Sequence, residues 1–144
     1  MKKTFFILVL IFLAIMIGIY MNYKQMLVAK TEAQKFNSEY EFYNKESIFG
    51  TDITTVINKA VNHNEKIGLP KDENGMYISD EKSSVKIYVH MMINDKTYPM
   101  EALQKTGLGD FTKYFGEVHF KCTNMKYHKE TGKIAEMTFA ATEN

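Results

Sequence analysis

The chain has no tryptophan, a single cysteine, two prolines and no arginine among its 18 basic residues. Each shortage excludes something. Cys122 alone cannot form an internal disulfide, so the fold must hold by packing rather than as a stapled scaffold. A lone cysteine so far along the chain also rules out a lipoprotein-type cleavage site after the N-terminal run. Without arginine, planar bidentate recognition of phosphate or guanine is absent, and no nucleic-acid partner is expected. A net charge of +1 gives no long-range steering of a charged partner. There is no glycine-rich phosphate loop. The prolines stand at positions 70 and 99, and no glycine or proline interrupts Ile19 to Phe49.

What is present begins at the N-terminus. The 17 residues Phe5–Met21 carry no charge. As a helix they cover about 26 Å, close to the ~30 Å hydrocarbon core of a bilayer. Tyr20 and Tyr23 suit the headgroup boundary, and Lys2 and Lys3 favour a cytoplasmic N-terminus. A cleaved signal would end in a small-x-small site just after a shorter apolar run. Here Tyr20, Met21, Asn22, Tyr23 and Lys24 follow, and the nearest such pattern, Thr31-Glu32-Ala33, lies too far on. The run is expected to stay as a single-pass anchor, with Phe5, Leu8, Phe12, Ile15 and Ile19 on one stripe.

The stripe continues. Met26, Ala29, Ala33, Phe36, Tyr40 and Tyr43 follow at alternating gaps of three and four, the signature of one helical face. One continuous helix to Ile48-Phe49-Gly50 is expected, with Gly50 as its C-terminal cap. Its distal half is expected to pack on the head. Small Ala29 and Ala33 would admit a neighbouring helix, from a second copy or another protein.

In "TDITTVINKAVNHN", Thr51 or Asp52 can cap a helix whose Ile53, Val56, Ile57, Ala60 and Val61 share a face. Residues 62–84 read as a polar connection with apolar pegs at Ile67, Leu69, Tyr77 and Ile78. "VKIYVHMMI" alternates as a half-buried strand, with Val85, Ile87, Val89 and Met91 inward. "TYPM" returns as its partner. A helical stretch follows, broken near Gly107-Leu108-Gly109 and resumed at an Asp110 cap. A hairpin closes the chain, with Val118, Phe120 and Cys122 on one inner face and Ala135, Met137 and Phe139 on the other. The fold class is α+β: a long N-terminal helix packed on a small antiparallel sheet with two short helices. The expected divisions are residues 1–23 as anchor, 24–49 as helical stem and 50–144 as an extracytoplasmic head.

No catalytic set emerges. His119 and Cys122, three apart on a strand, point to opposite faces, and Cys122 reads as a small core residue. His90 and His119 would approach each other only if their strands were neighbours, and two histidines make a weak metal site. His63 and His128 fall at a helix end and a turn. "PKDENGMYISDE" places Asp72, Asn74, Gly75 and Glu81 at spacings of a calcium loop, but a proline holds its first ligand position. A solvated turn at Asn74-Gly75 explains it. No cofactor or metal is expected. Tyr88, His90 and Lys121 are the candidate ligand face should the chain be an anchored binding module for a small ligand or wall fragment. Lys126, Lys129 and Lys133 make the final hairpin basic.

The apolar run of "FFILVLIFLAIMIGIYMNYKQMLVAKTEAQKFNSEYEFY", its soluble continuation and the later hairpins resemble the type IV pilins and pseudopilins in architecture. The resemblance implies a helix held first in the membrane and a sheet-bearing outer head, with function through protein–protein contact rather than catalysis. That family's peptidase site pairs a glycine before an aromatic residue with a glutamate five places into the mature chain. Here Gly18 precedes Ile19 and the first acidic residue is Glu32, so the likeness is one of shape. "FGTDITTVINKAVNHN" and "VHFKCTNMKY" are also similar to stretches of small membrane-anchored proteins of Gram-positive anaerobes. The partners implied are the lipid bilayer and a protein bound through the stem helix.

Overall fold

A computed structural model describes residues 2–142; Met1 of the expected anchor and Glu143 and Asn144 of the expected head lie outside the described residues. Lys2–Glu41 form one α-helix, α1, of 40 residues. It is long and apolar enough to cross a membrane. Its most apolar 18-residue window has a mean hydropathy of 2.8, and none of it is buried by the rest of the chain. That distinguishes it from the core helix of a globular domain, whose apolar surface would be covered.

The helix stops at Glu41, short of the Phe49 expected from the sequence. The Tyr43 N–H donates to the Tyr40 carbonyl at 2.9 Å and the Asn44 N–H to that of Glu41 at 3.0 Å, turning the chain. Ile48 and Phe49 then form a short strand, β1 (Ile48–Phe49), against Phe120 and His119. Continuing the helix would carry Ile48 about 10 Å further along its axis and out of the core it fills. Gly50 is therefore no cap of α1. It opens α2 (Gly50–Lys66), where a Cβ would lie 1.9 Å from the Phe115 carbonyl oxygen. Only glycine fits that approach. The Asp52 carboxylate accepts from the Phe49 N–H at 3.0 Å, satisfying a donor at the start of α2. Ile53, Val56, Ile57, Ala60 and Val61 are all buried, as their spacing requires.

The other elements are β2 (Lys86–Met91), β3 (Lys96–Pro99), α3 (Met100–Thr106), α4 (Leu108–Phe115), β4 (His119–Tyr127) and β5 (Ile134–Ala141). Among the described residues three helices accompany the sheet beyond α1, the second expected helical stretch being split into α3 and α4. Gly107, at φ +106°, separates α3 from α4, and α4 begins at Leu108 rather than at an Asp110 cap. Five strands form one sheet in the order β1-β4-β5-β2-β3. The two expected hairpins are present, β2/β3 and β4/β5, but they join through a parallel pair, β2 with β5. The sheet is mixed rather than purely antiparallel. β5 and β2 lie at the middle of the sheet, with fully apolar inward faces: Ile87, Val89, Met137 and Phe139 have no exposed surface.

Two bulges break the β4/β5 register, skipping Thr123 on β4 and Ala135 on β5. The second changes which side chains face inward. Ile134 is fully buried and Ala135 only half-buried, so Ile134 takes the core position expected of Ala135. Of the pegs in the long connection, Tyr77 is buried and Leu69 half-buried, while Ile67 and Ile78 are exposed. One core cluster runs from Tyr40, Tyr43 and Ile48 through α2 to Phe120, Met137 and Phe139. The end of α1 and the turn after it therefore belong to the head.

Candidate functional site

The junction between α1 and the head is the most elaborated feature of the molecule. Ala33, Tyr40 and Tyr43 are buried there and Phe36 is half-buried against the core. Met26 and Ala29, the proximal members of the same stripe, are exposed; with Lys30 they border an open groove whose other side is Glu130, Thr131 and Gly132, and the first buried stem residue is Ala33. The Phe36 ring lies 4.8 Å from the His63 ring and 5.3 Å from that of Tyr40. Lys59 donates to the Glu39 carbonyl at 3.1 Å and pairs with the Glu39 carboxylate at 3.6 Å.

A residue that the apolar stripe did not single out completes this clamp. Asn37 donates from Nδ2 to the Gly132 carbonyl at 2.9 Å, and its Oδ1 accepts from the Ile134 N–H at 2.8 Å. A primary amide offers the same donor and acceptor as a peptide group, so Asn37 binds the start of β5 as a neighbouring strand would. Asn64, on α2, does the same at the start of β2. It donates to the Val85 carbonyl at 2.7 Å and accepts from the Val85 N–H at 2.9 Å. Asn37 follows Ala33 by four and precedes Tyr40 by three, and that placement was its only signal in the sequence.

Tyr40 holds the one strained account in the clamp. It is buried, and its hydroxyl has no hydrogen-bond partner among the described residues. Burial, with Glu39 and Tyr43 adding to it, pushes its ionisation well above the ordinary phenol range, so the group stays neutral.

The anchor stripe lies wholly outside the core. Phe5, Leu8, Phe12, Ile15 and Ile19 are 56–70% exposed. Gly18 lies between Ile15 and Ile19 without breaking the helix, and a Cβ there would meet nothing.

Tyr88, His90 and Lys121 lie on the sheet's outer side but do not converge. His90 and Lys121 both sit beside Ala140, on strands to either side of β5. Two strand spacings put them about 10 Å apart, with no wall around them. His90 is engaged with Thr97 at 3.1 Å and Asp95 at 3.4 Å. Burial, then Glu136 and Glu101, raise the Tyr88 hydroxyl. A cleft of about 500 Å³ does open beside Tyr88, reaching Asp80, Lys126, His128 and Glu136. Several of its polar groups are already engaged. Lys126 bonds Glu136 at 2.8 Å, and His128 donates from Nε2 to the Ser84 carbonyl at 2.7 Å. Burial acts to raise the Asp80 carboxyl, but hydrogen bonds from Ser83, Ser84 and Lys82 outweigh it and hold it well below the usual carboxylate range.

The remaining candidates resolve individually. His90 and His119 are on strands separated by β5, and His119 bonds Ser47 at 2.6 Å. Among the described residues no cluster of three or more metal-ligating side chains occurs. Cys122 is half-buried, and burial raises its thiol, away from thiolate reactivity. Asp72 accepts from the Asn74 N–H at 2.9 Å and the Met76 N–H at 2.8 Å, an Asx turn in place of a cation loop. A cavity that no motif foretold, about 360 Å³, lies between Met91, Tyr98, Leu103, Phe111 and Tyr114, with Ile93 exposed at its rim. It is assembled from β2, β3, α3 and α4, so no short stretch of sequence could announce it. Comparison with protein-family models, with curated proteins and with solved structures finds no match to this chain.

Proposed function

We propose that this is a non-enzymatic, single-pass membrane protein with its N-terminus in the cytoplasm and its head outside, acting by protein–protein contact as a pilin-like subunit or scaffold. The observation that carries the reading is the division of α1. Its apolar half is bare, while its distal half is held to the head by Asn37, Tyr40 and the Lys59–Glu39 pair, with Tyr43 buried in the turn that follows. A helix built this way couples whatever its bare half contacts to the position of the head. Hydrocarbon covers a uniformly apolar rod at no cost in polar groups, since every backbone bond is internal to the helix. The exposed segment between membrane and head, with Met26 and Ala29, is where a protein partner or second copy would meet the stem.

Photo-crosslinkers placed at Met26 and Ala29 in the native membrane test this. The expected result is a discrete protein adduct at both positions, and none from Phe12 except to lipid. Adducts to lipid alone at Met26 and Ala29, or recovery of the intact chain from the aqueous fraction, would overturn the reading.

A further inference from the structure

One margin of the sheet is mostly unoccupied. β1 pairs with only His119 and Phe120 of β4. The rest of β4, Lys121–Tyr127, has β5 on one side and, among the described residues, no strand on the other. Among the described residues no backbone hydrogen bond from outside the β4/β5 ladder reaches this stretch. Lys121, Thr123, Asn124, Lys126 and Tyr127 are exposed there. Along such a margin alternate residues turn both N–H and C=O outward, a template for another strand. The opposite margin is built differently. β3 is only four residues long and ends in Pro99, which has no N–H to offer. On β4 the bulge at Thr123 interrupts the margin; beyond it β4 skips no residue from Asn124 to Tyr127, the second register shift falling on Ala135 of β5.

We propose that Asn124–Tyr127, with Lys121 beside it, takes an extended, carboxylate-bearing segment of a protein partner as an added strand, on the track that β1 begins. This rests on the reading above that the chain works by protein contact. β1 shows that this margin accepts a strand in antiparallel register. Charge selects the partner. β4 carries Lys121 and Lys126 and no Asp or Glu; the turn after it holds Lys129 and Glu130, and Glu130 pairs with Lys82 at 3.8 Å. Lys126 is already bonded to Glu136, so Lys121 and Lys129 set the preference. A second copy of β4 fits poorly, because it would bring the same lysines into one ladder with no carboxylate on either strand. An added strand supplies backbone hydrogen bonds for affinity, and its alternate side chains supply specificity.

Hydrogen exchange on the full chain in lipid nanodiscs tests the proposal, using a blocked peptide of alternating glutamate and valine as probe. Two controls accompany it: the lysine counterpart, and the glutamate peptide N-methylated at alternate amides. At ten times its dissociation constant the glutamate peptide should slow exchange about tenfold at those amides of Asn124–Tyr127 that face away from β5, the mass-action limit for a site blocked when bound. The lysine and N-methylated peptides should not, and Lys121→Glu, an exposed change, should weaken the glutamate peptide's effect. Equal protection by the lysine peptide would overturn the charge argument. Protection that appears without peptide and grows with protein concentration would assign the margin to a second copy instead. If exchange stays unchanged while the Met26 and Ala29 crosslinks persist, the β4 site fails and the contact function stands.

Discussion

The two halves of α1 are continuous in backbone and alike in apolar spacing, yet their surroundings are opposite. From Phe5 to Val28 every large apolar side chain is exposed to whatever surrounds the helix, whereas Ala33 and Tyr40 are buried, as is Tyr43 in the turn just past the helix. The difference teaches that a helical stripe declares only that a face needs covering. What covers it follows from the other side chains: an all-round apolar rod suits hydrocarbon, and a single apolar face flanked by lysine and glutamate suits a protein core. Asn37 marks the change, because an amide bonding to β5 has a use only where a strand end lies beside it.

The largest effect should separate the halves outright. Tyr40→Ala removes a buried ring and should cost about 3–5 kcal/mol of head stability, as large aromatic truncations in cores do. Phe12→Ala should leave head stability unchanged in the same chemical-denaturation measurement on the full chain in detergent. Comparable losses from both would mean that the halves are not energetically distinct. A smaller effect should come from the clamp. Asn37→Ala deletes two hydrogen bonds and strands the Ile134 N–H and Gly132 carbonyl, for a loss of about 2 kcal/mol. Faster amide exchange at Ile134, with Val85 unaffected, would place that loss at the junction.

The smallest effect should be a gain. Tyr40→Phe removes a buried hydroxyl that lacks a partner among the described residues and should stabilise the head by about 1 kcal/mol. It should also change the alkaline limb. Because the folded state raises the ionisation of Tyr40, the native protein keeps this contribution below about pH 10, the unfolded phenol's range, and loses it as pH climbs further. Tyr40→Phe should lack that share of the alkaline loss, seen as a shallower fall of denaturation midpoint with pH.

Much of the fold was legible because it is local. The face of α2 and the alternation of Val85, Ile87, Val89 and Met91 are written in spacings of a few residues, and both segments bury those side chains. The features that sequence reasoning missed depend on partners distant along the chain. α1 ends where Ile48 must reach Phe120, and Gly50 is needed because Phe115 comes against it. Ile134 faces inward because a bulge opposite Lys126 and Tyr127 shifts the register. The candidate site divided in the same way. Tyr40 and Tyr43 stood out by their period, whereas Asn37 looked like any polar residue beside a stripe.

The amino-acid sequence alone determined the α+β class, a helix apolar enough to cross a membrane, and the inward faces of α2 and β2, since each follows from short-range periodicity and hydropathy. Tertiary structure decided the parallel seam between β2 and β5, the point at which α1 stops, the amide clamps at Asn37 and Asn64, and the stretch of β4 that no described strand pairs on its outer side. Those are pairings between segments tens of residues apart, and their energy is set by which backbone groups meet after the chain has closed on its core.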